Sequence, residues 1–248
     1  MALVNPDGLL VEIVDVRRWA QPLIEAALPI PCAAPFQAHA RSTLCGGHLC
    51  LVLTPHGEIK VFAEGVQMFS FLDGRWRLTD PLEKYQAWAN AIGEPVLAER
   101  LFAVALNLGE DRRGGLLVVL NDPRQANRLV TPGDLLGAPG WEPKEADQST
   151  AKRHLHYLFR HAQVLALAPT VVETLARTDG AIVLDREGSF LSFGAILRHP
   201  ATGEGNEKSV EGGRTTAAIA ASRFGNVLKV SEDGMVSYFR EGRCIWEL

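Results

Sequence analysis

The sequence predicts a mixed α/β (α+β) fold, in which a central mixed sheet is flanked by helices and preceded by a β-rich extension. Three observations lead to this prediction. Short alternating runs separated by turn formers fill residues 49–78, continuous apolar runs recur after residue 114, and stripes of apolar residues at helical spacing lie between those runs. The break at Gly93-Glu94-Pro95 predicts two domains, an N-terminal β-rich module over 1–95 and a main domain over 96–248.

Composition limits the classes of partner. The chain has 248 residues, of which 47% are hydrophobic, so it is long and apolar enough to bury a core. A net charge of -4 gives no general attraction for a nucleic-acid polymer or an anionic membrane. Asp7, Glu12 and Asp15 interrupt the start of the chain, and no apolar run reaches the roughly 20 residues that span a bilayer. We therefore expect a cytoplasmic protein whose four cysteines are reduced.

The first module has the pattern of a β-meander. Asp73-Gly74 is its clearest hairpin signal, because this dipeptide tolerates the positive φ of a tight turn. Aromatic residues recur along these runs and into the next helix, and we interpret them as core side chains, with base stacking as the alternative. The predicted strands are Leu49–Leu53, Glu58–Phe62, Val66–Leu72 and Arg75–Leu78, after an earlier strand at Leu9–Val16 and helical spacing at Trp19–Leu28.

The second part alternates helices with buried strands. Asp80 and Pro81 predict the start of a helix that runs to Ala91, and Gly109 ends an apolar helical stripe that begins at Leu97. The uninterrupted apolar run over 114–120 is typical of a strand covered on both faces. A surface loop is predicted over 137–150 and a helix over 152–167.

Two short stretches carry the residues suited to chemistry. Asp179-Gly180-Ala181 opens an apolar strand that runs to Asp185, with its antiparallel partner predicted over 189–197. Gly212-Gly213-Arg214-Thr215-Thr216 leads into a helix of small residues over 215–222. A carboxylate beside anion-binding donors at the start of a helix indicates a nucleotide site. The alternative is that each stretch is only a turn, a loop or the tip of a hairpin.

The order of these elements resembles the diadenylate cyclase (DAC) domain, also called the DisA N-terminal domain. The resemblance covers roughly residues 96–248 and rests on four short motifs that occur in the family's order. They are Arg113-Gly114-Gly115-Leu116, Asp179-Gly180-Ala181, Gly212-Gly213-Arg214-Thr215-Thr216-Ala217-Ala218 and Ser231-Glu232-Asp233-Gly234.

The resemblance implies a function and a set of site residues. In that family each domain holds one ATP, and two domains face each other as a homodimer to make cyclic di-AMP. Asp179 is thereby implied to be the catalytic residue and to hold Mg²⁺ or Mn²⁺, which neutralises phosphate charge and activates the attacking hydroxyl. The implied nucleotide-binding residues are Gly180, Ala181, Gly213, Arg214, Thr215, Thr216, Ser222 and Glu232.

One departure from the family pattern weakens the expected triphosphate grip. The family has Arg-His-Arg where this chain has Arg214-Thr215-Thr216, so two hydroxyls replace a histidine and a cation. Hydrogen bonds to charged groups contribute roughly 1.5–3 kcal/mol, and the hydroxyls supply no charge. The sequence therefore predicts a degenerate domain that binds an adenine nucleotide or a cyclic dinucleotide and acts as a sensor.

Two alternatives stay open. The first is an active diadenylate cyclase that makes cyclic di-AMP from two ATP, with the grip rebuilt from Arg214, Thr215, Thr216 and either Arg198 or Lys208. The second is a structural or partner-binding protein that takes no ligand.

Overall fold

The computed structural model describes residues 1–20, 26–44, 47–136, 151–198 and 212–248. Within these ranges the chain forms eight α-helices and three β-sheets, so the α+β fold with a mixed central sheet and flanking helices is confirmed. The chain divides into two compact units, Met1–Gln86 and Ala87–Leu248. The sequence predicted the boundary at residue 95. In the described part of the chain, no helix combines the length and the apolar character needed to cross a membrane.

The first unit contains a hairpin and a four-stranded antiparallel sheet. The predicted β-meander is present, and both residues of the Asp73-Gly74 turn have positive φ, as a two-residue type I′ turn requires. The predicted helix over 19–28 falls partly outside the described residues, and the predicted loop over 137–150 lies entirely outside them. The elements are β1 (Ala2–Val4), β2 (Leu10–Ile13), α1 (Val16–Ala20), α2 (Gln37–Arg41), β3 (Cys50–Leu53), β4 (Ile59–Ala63), β5 (Val66–Leu72) and β6 (Arg75–Leu78), with the sheet in the order β3-β4-β5-β6.

The second unit is built on a six-stranded sheet in the order β12-β11-β10-β7-β8-β9. Only the β7–β8 pair is parallel among its described ladders. The elements that follow β6 are α3 (Pro81–Ile92), α4 (Pro95–Glu110), β7 (Gly115–Leu120), α5 (Ala126–Leu129), α6 (Ala151–Phe159), α7 (Pro169–Ala176), β8 (Ala181–Leu184), β9 (Phe190–Ala195), α8 (Gly213–Ala221), β10 (Gly225–Val230), β11 (Val236–Arg240) and β12 (Arg243–Glu247).

The central strands are covered on both faces, as their continuous apolar runs predicted. Every residue of β7 and of β10 is buried. Alternate side chains of β7, at 116, 118 and 120, join a core cluster with α5 and α8, while α4 and α7 also lie against β7. The sheet is therefore the middle layer of the second unit.

The predicted helix over 152–167 is shorter than expected. α6 ends at Phe159, because the following residues pair with the turn before β9 instead of continuing the helix. Val164 N–H donates to the Gly188 carbonyl at 2.8 Å, and Gln163 forms a bridge with Ser189. The sequence interpretation did not include α7 or β12.

Candidate anion-binding site at the start of α8

The candidate residues lie at one end of the six-stranded sheet, where the ends of its central strands meet. Gly115 of β7 lies opposite Val230 of β10, and Ala181 of β8 lies opposite Ala195 of β9. The amino ends of β7 and β8 and the carboxyl ends of β9 and β10 therefore meet at the same end of the sheet. Asp179 and the β10–β11 turn consequently lie at the same end of the sheet as Gly114.

The start of α8 presents backbone donors without a side-chain cap. Gly212 is the N-cap residue, and its carbonyl accepts from the N–H groups of Thr215 at 2.9 Å and Thr216 at 3.3 Å. The N–H groups of Gly213 and Arg214 lie in the first turn, where a helix leaves its donors unpaired. A Cβ built on Gly212 or Gly213 would meet no atom of the described chain within 4 Å. No described residue therefore blocks this side of the helix start.

Lys229 brings a positive charge under this first turn. Its side chain extends from β10, the residue is only 8% exposed, and Nζ lies 3.1 Å from Thr215 Oγ1. Nζ also lies 5.7 Å from the centre of the Phe239 ring. Across the described residues, no carboxylate forms an ion pair with this ammonium group. Burying an uncompensated charge is costly, so an anion at this position would stabilise Lys229.

Arg214 lies at the same end of α8 and forms an ion pair with Glu232. The Nη1–Oε1 distance is 2.7 Å, and both side chains are exposed. The guanidinium group lies directly over Gly114, because a Cβ on that glycine would come within 2.2 Å of Nη1. An exposed ion pair contributes about 0–1 kcal/mol, so a stronger ligand for Arg214 can displace Glu232.

Asp179, Gly180 and Ala181 have different surroundings. Asp179 is exposed at this end of the sheet. Gly180 has φ +114°, and a Cβ there would lie 2.4 Å from the carbonyl carbon of Gly194 in β9. Ala181 is buried between Leu116 and Ala195 on the two neighbouring strands. Gly180 and Ala181 therefore have a local role in strand pairing, independent of any nucleotide.

The predicted metal site has a limited set of ligands. Across the described residues there is no group of three or more His, Cys, Asp or Glu side chains placed to hold a metal ion. Asp179 and Glu232 are carboxylates at the same end of the sheet. Mg²⁺ at phosphate sites is usually held by one or two carboxylates together with the phosphate oxygens, and Asp179 and Glu232 are ligands of that type.

Ser222 lies at the other end of α8. It is the C-cap residue, it is buried, and its hydroxyl donates to the Ile219 carbonyl at 2.9 Å and accepts from Gly242 N–H at 3.0 Å. The structure therefore does not bring it together with Thr215 and Arg214. Arg198 is exposed just after β9, and Lys208 lies outside the described residues.

Sequence reasoning missed Lys229. The available signal was one lysine inside the apolar run of β10, Val227-Leu228-Lys229-Val230. A lysine in a strand that is otherwise buried on both faces needs a compensating partner. That the partner lies at the start of α8 follows only from how the helix packs on the sheet.

Comparisons with known proteins give little similarity. No family model matches the chain, and no curated protein matches it. Among solved structures, a hypothetical membrane spanning protein from Bacillus cereus is 19% identical with a TM-score of 0.44, over 65% of this chain and 69% of that chain. A double mutant of DacA from Staphylococcus aureus is 17% identical with a TM-score of 0.35, over 61% of this chain and 86% of that chain.

These findings overturn the identification of this chain as a member of the diadenylate cyclase (DisA N-terminal domain) family. The motifs that suggested it are short, no family model supports them, and the structural similarity is too low to carry an argument. Three of the four motifs also have a local cause. Gly114 makes room for Arg214, Gly180 for β9, and Ser231 and Gly234 close the β10–β11 turn through a 3.1 Å hydrogen bond.

Proposed function

We propose that the second unit binds a phosphate-bearing ligand, a nucleotide or a cyclic dinucleotide, with one phosphate group at the start of α8. The observation that carries this proposal is the buried ammonium group of Lys229 beneath the first turn of α8, where its described partner is a neutral hydroxyl. A phosphate group is the natural complement, because it brings negative charge and several acceptor oxygens.

The donors around this position match a phosphate group. The N–H groups of the first helical turn, the hydroxyls of Thr215 and Thr216, and Lys229 Nζ can all donate, and phosphate oxygens only accept. The helix macrodipole adds about half a positive charge at the same end. Neutral hydroxyls thus supplement charge that comes from Lys229 and Arg214.

Arg214 gives the site a second state. Without ligand it pairs with Glu232 across the turn that follows β10. A bound phosphate group competes for the guanidinium group and offers a bidentate partner, which releases Glu232. This exchange moves a charged group on the β10–β11 turn when ligand binds, as a sensor requires.

A divalent cation fits as part of the bound ligand. We propose that Mg²⁺ or Mn²⁺ arrives with the phosphate groups and that Asp179 and Glu232 are the carboxylates available to it. Such an ion supplies neutralisation of phosphate charge. Formation of cyclic di-AMP from two ATP, with Asp179 as the catalytic residue in a face-to-face homodimer, is the alternative function.

Isothermal titration calorimetry with ATP, cyclic di-AMP, pyrophosphate and inorganic phosphate, with and without Mg²⁺, tests the binding proposal. We expect at least one of these ligands to bind, and a ligand at 100 times its Kd to raise the free energy of unfolding by about 2.7 kcal/mol. Lys229→Met keeps the length of the side chain and removes its charge, and we expect it to weaken binding at least about tenfold. Arg223→Met is the matched control, because it removes one positive charge from the opposite end of α8.

The same panel separates the alternatives. Equal affinity of Lys229→Met and wild type would refute the proposed site. No heat signal with any ligand would favour a ligand-free structural or partner-binding protein. Cyclic di-AMP formed from ATP and Mn²⁺, and abolished by Asp179→Asn, would establish the enzyme in place of the sensor.

We also propose a cytoplasmic location. The support is the thiol of Cys50, which is buried and not in a disulfide, as is usual in reducing compartments. Fractionation of cells that express the full chain checks this, and recovery from the membrane or secreted fraction would contradict it.

A further inference from the structure

The four-stranded sheet of the first unit has one face that is entirely apolar. Cross-strand pairing arranges eight side chains of this face in two rows of four, one residue from each strand. The rows are Leu53, Ile59, Phe71 and Trp76, and Leu51, Val61, Phe69 and Leu78. No polar or charged residue occupies any of these positions.

This apolar face is open to solvent. The edge strands contribute its most exposed members, and the rings of Phe71 and Trp76 lie 5.1 Å apart at one end. The opposite face of the same sheet is covered at its two central strands, where even Lys60 and Ser70 are buried. The exposed fractions on the open face are 64% for Leu51, 71% for Leu53, 42% for Phe69, 58% for Trp76 and 63% for Leu78.

We propose that this face is the dimer interface of the protein and that its occupant is the same face of a second copy of the chain. The five exposed side chains together present on the order of 600 Å² of apolar surface, given the areas of aromatic and aliphatic side chains. That is at the upper end of what monomers expose, and two such faces bury about 1,200 Å², the lower limit of a specific interface. The area therefore matches a dimer of moderate affinity.

The chemistry of the face favours a second copy over a partner of another kind. It has no charge to attract an anionic lipid headgroup or to select a charged protein surface. A uniformly apolar patch is complementary to itself, which is the requirement for a two-fold symmetric interface. Two four-stranded sheets stacked about 10 Å apart form a β-sandwich, in which the two rows of each copy interdigitate.

The proposal is independent of the nucleotide site, which lies in the other unit. A variant of Lys229 should change ligand binding and leave the dimer intact. A failure of the binding proposal and a failure of the dimer proposal are therefore separate results.

Sedimentation velocity of the full chain from about 1 to about 100 µM tests the proposal, since this range brackets a micromolar Kd. We expect wild type to shift from monomer to dimer across the range. Leu53→Glu and Leu78→Lys each bury a charge in the interface, and we expect each to raise the dissociation constant at least about tenfold. Val96→Glu is the matched control, because it places a charge on an exposed apolar position of α4.

Circular dichroism and thermal unfolding confirm that the variants are folded, and charge at such exposed positions should not unfold the monomer. Hydrogen exchange of residues 50–78 that slows as the protein concentration rises would support the assignment. A wild-type monomer at the highest concentration would overturn the proposal, and so would a dimer that neither face variant weakens. Flotation of a monomeric wild type with phosphatidylcholine vesicles would assign the face to a lipid surface instead.

Discussion

The two large sheets of this protein differ in whether their apolar faces are covered. In the six-stranded sheet, every residue of β7 and β10 is buried, and helices contact the sheet from both sides. In the four-stranded sheet, one face covers a small core while the other exposes two full rows of apolar side chains. Helical cover explains the difference, and it shows that an apolar strand residue signals a covered face only where the chain also supplies the cover.

The largest expected effect compares one leucine from each sheet. Leu117 is fully buried in β7, so Leu117→Ala should lower the free energy of unfolding by about 2–5 kcal/mol, through lost burial and the cavity that remains. Leu53→Ala removes the same atoms from an exposed position and should cost under about 0.5 kcal/mol at concentrations where the protein is monomeric. Urea unfolding of both variants measures the difference. Equal costs would break the comparison, because they would mean that the face of the small sheet is covered in the monomer.

A second test compares two glycines with positive φ, one beside a strand of each sheet. Gly180 and Gly74 both have positive φ, but only at Gly180 would a Cβ meet neighbouring backbone, at 2.4 Å in β9. We expect Gly180→Ala to destabilise by about 2–3 kcal/mol through strain and overpacking, and Gly74→Ala by about 1 kcal/mol through its φ alone. The same urea titrations report both values. A cost at Gly180 no larger than at Gly74 would remove the local explanation given for the Asp179-Gly180-Ala181 motif.

The smallest effects concern pH, and the two units should respond in opposite directions. Burial raises the pKa of Tyr238 in the second unit, whose hydroxyl donates to Asn226 Oδ1 at 2.7 Å. The unfolded chain therefore loses this proton first, and stability that is complete below pH 10.0 falls as the pH rises above it. In Tyr238→Phe this alkaline loss should be smaller.

In the first unit the titrating group is His39. Burial is the main effect, and it lowers the pKa of His39. A hydrogen bond with the Pro35 backbone raises this pKa, and the charge of the amino terminus lowers it further. The unfolded state binds the proton first, so stability that is complete above pH 6.5 is lost as the pH falls. Unfolding free energies of wild type, Tyr238→Phe and His39→Asn across the pH range test both signs. If the loss of stability at acid pH is unchanged in His39→Asn, that loss is caused by another titrating group.

The sequence allowed most of the fold to be predicted, because burial and periodicity coincide in the larger sheet. The apolar run over 114–120 is typical of a covered strand and Asp73-Gly74 of a tight hairpin, and the structure has both. β12 was missed because it is an edge strand with mostly exposed residues, so its alternation carries little signal. The open face of the small sheet was missed because alternation normally places the polar residues in solvent. Here Lys60 and Ser70 lie on the buried side, and the apolar side is exposed.

The candidate site was predicted only in part. Arg214 and Thr215 were identified from their position after two glycines, and the structure places both at the start of α8. Glu232 was assigned to the site by resemblance, and the structure pairs it with Arg214. Lys229 joins them only because α8 packs over the end of β10, a long-range arrangement that local patterns do not encode. Ser222 was assigned to the site by resemblance, and the structure places its hydroxyl in the turn contacts at the far end of the helix.

The strand order of the larger sheet also has a consequence for folding during synthesis. β7 pairs with β8 on one side, but its other neighbour is β10, which joins residue 115 to residue 230. Until residues 225–230 have left the ribosome, β7 has an unpaired apolar edge, the kind of edge at which chains aggregate. β10, which is made long after β7, thus completes the centre of the sheet, and the nascent chain depends on this strand to avoid misassembly.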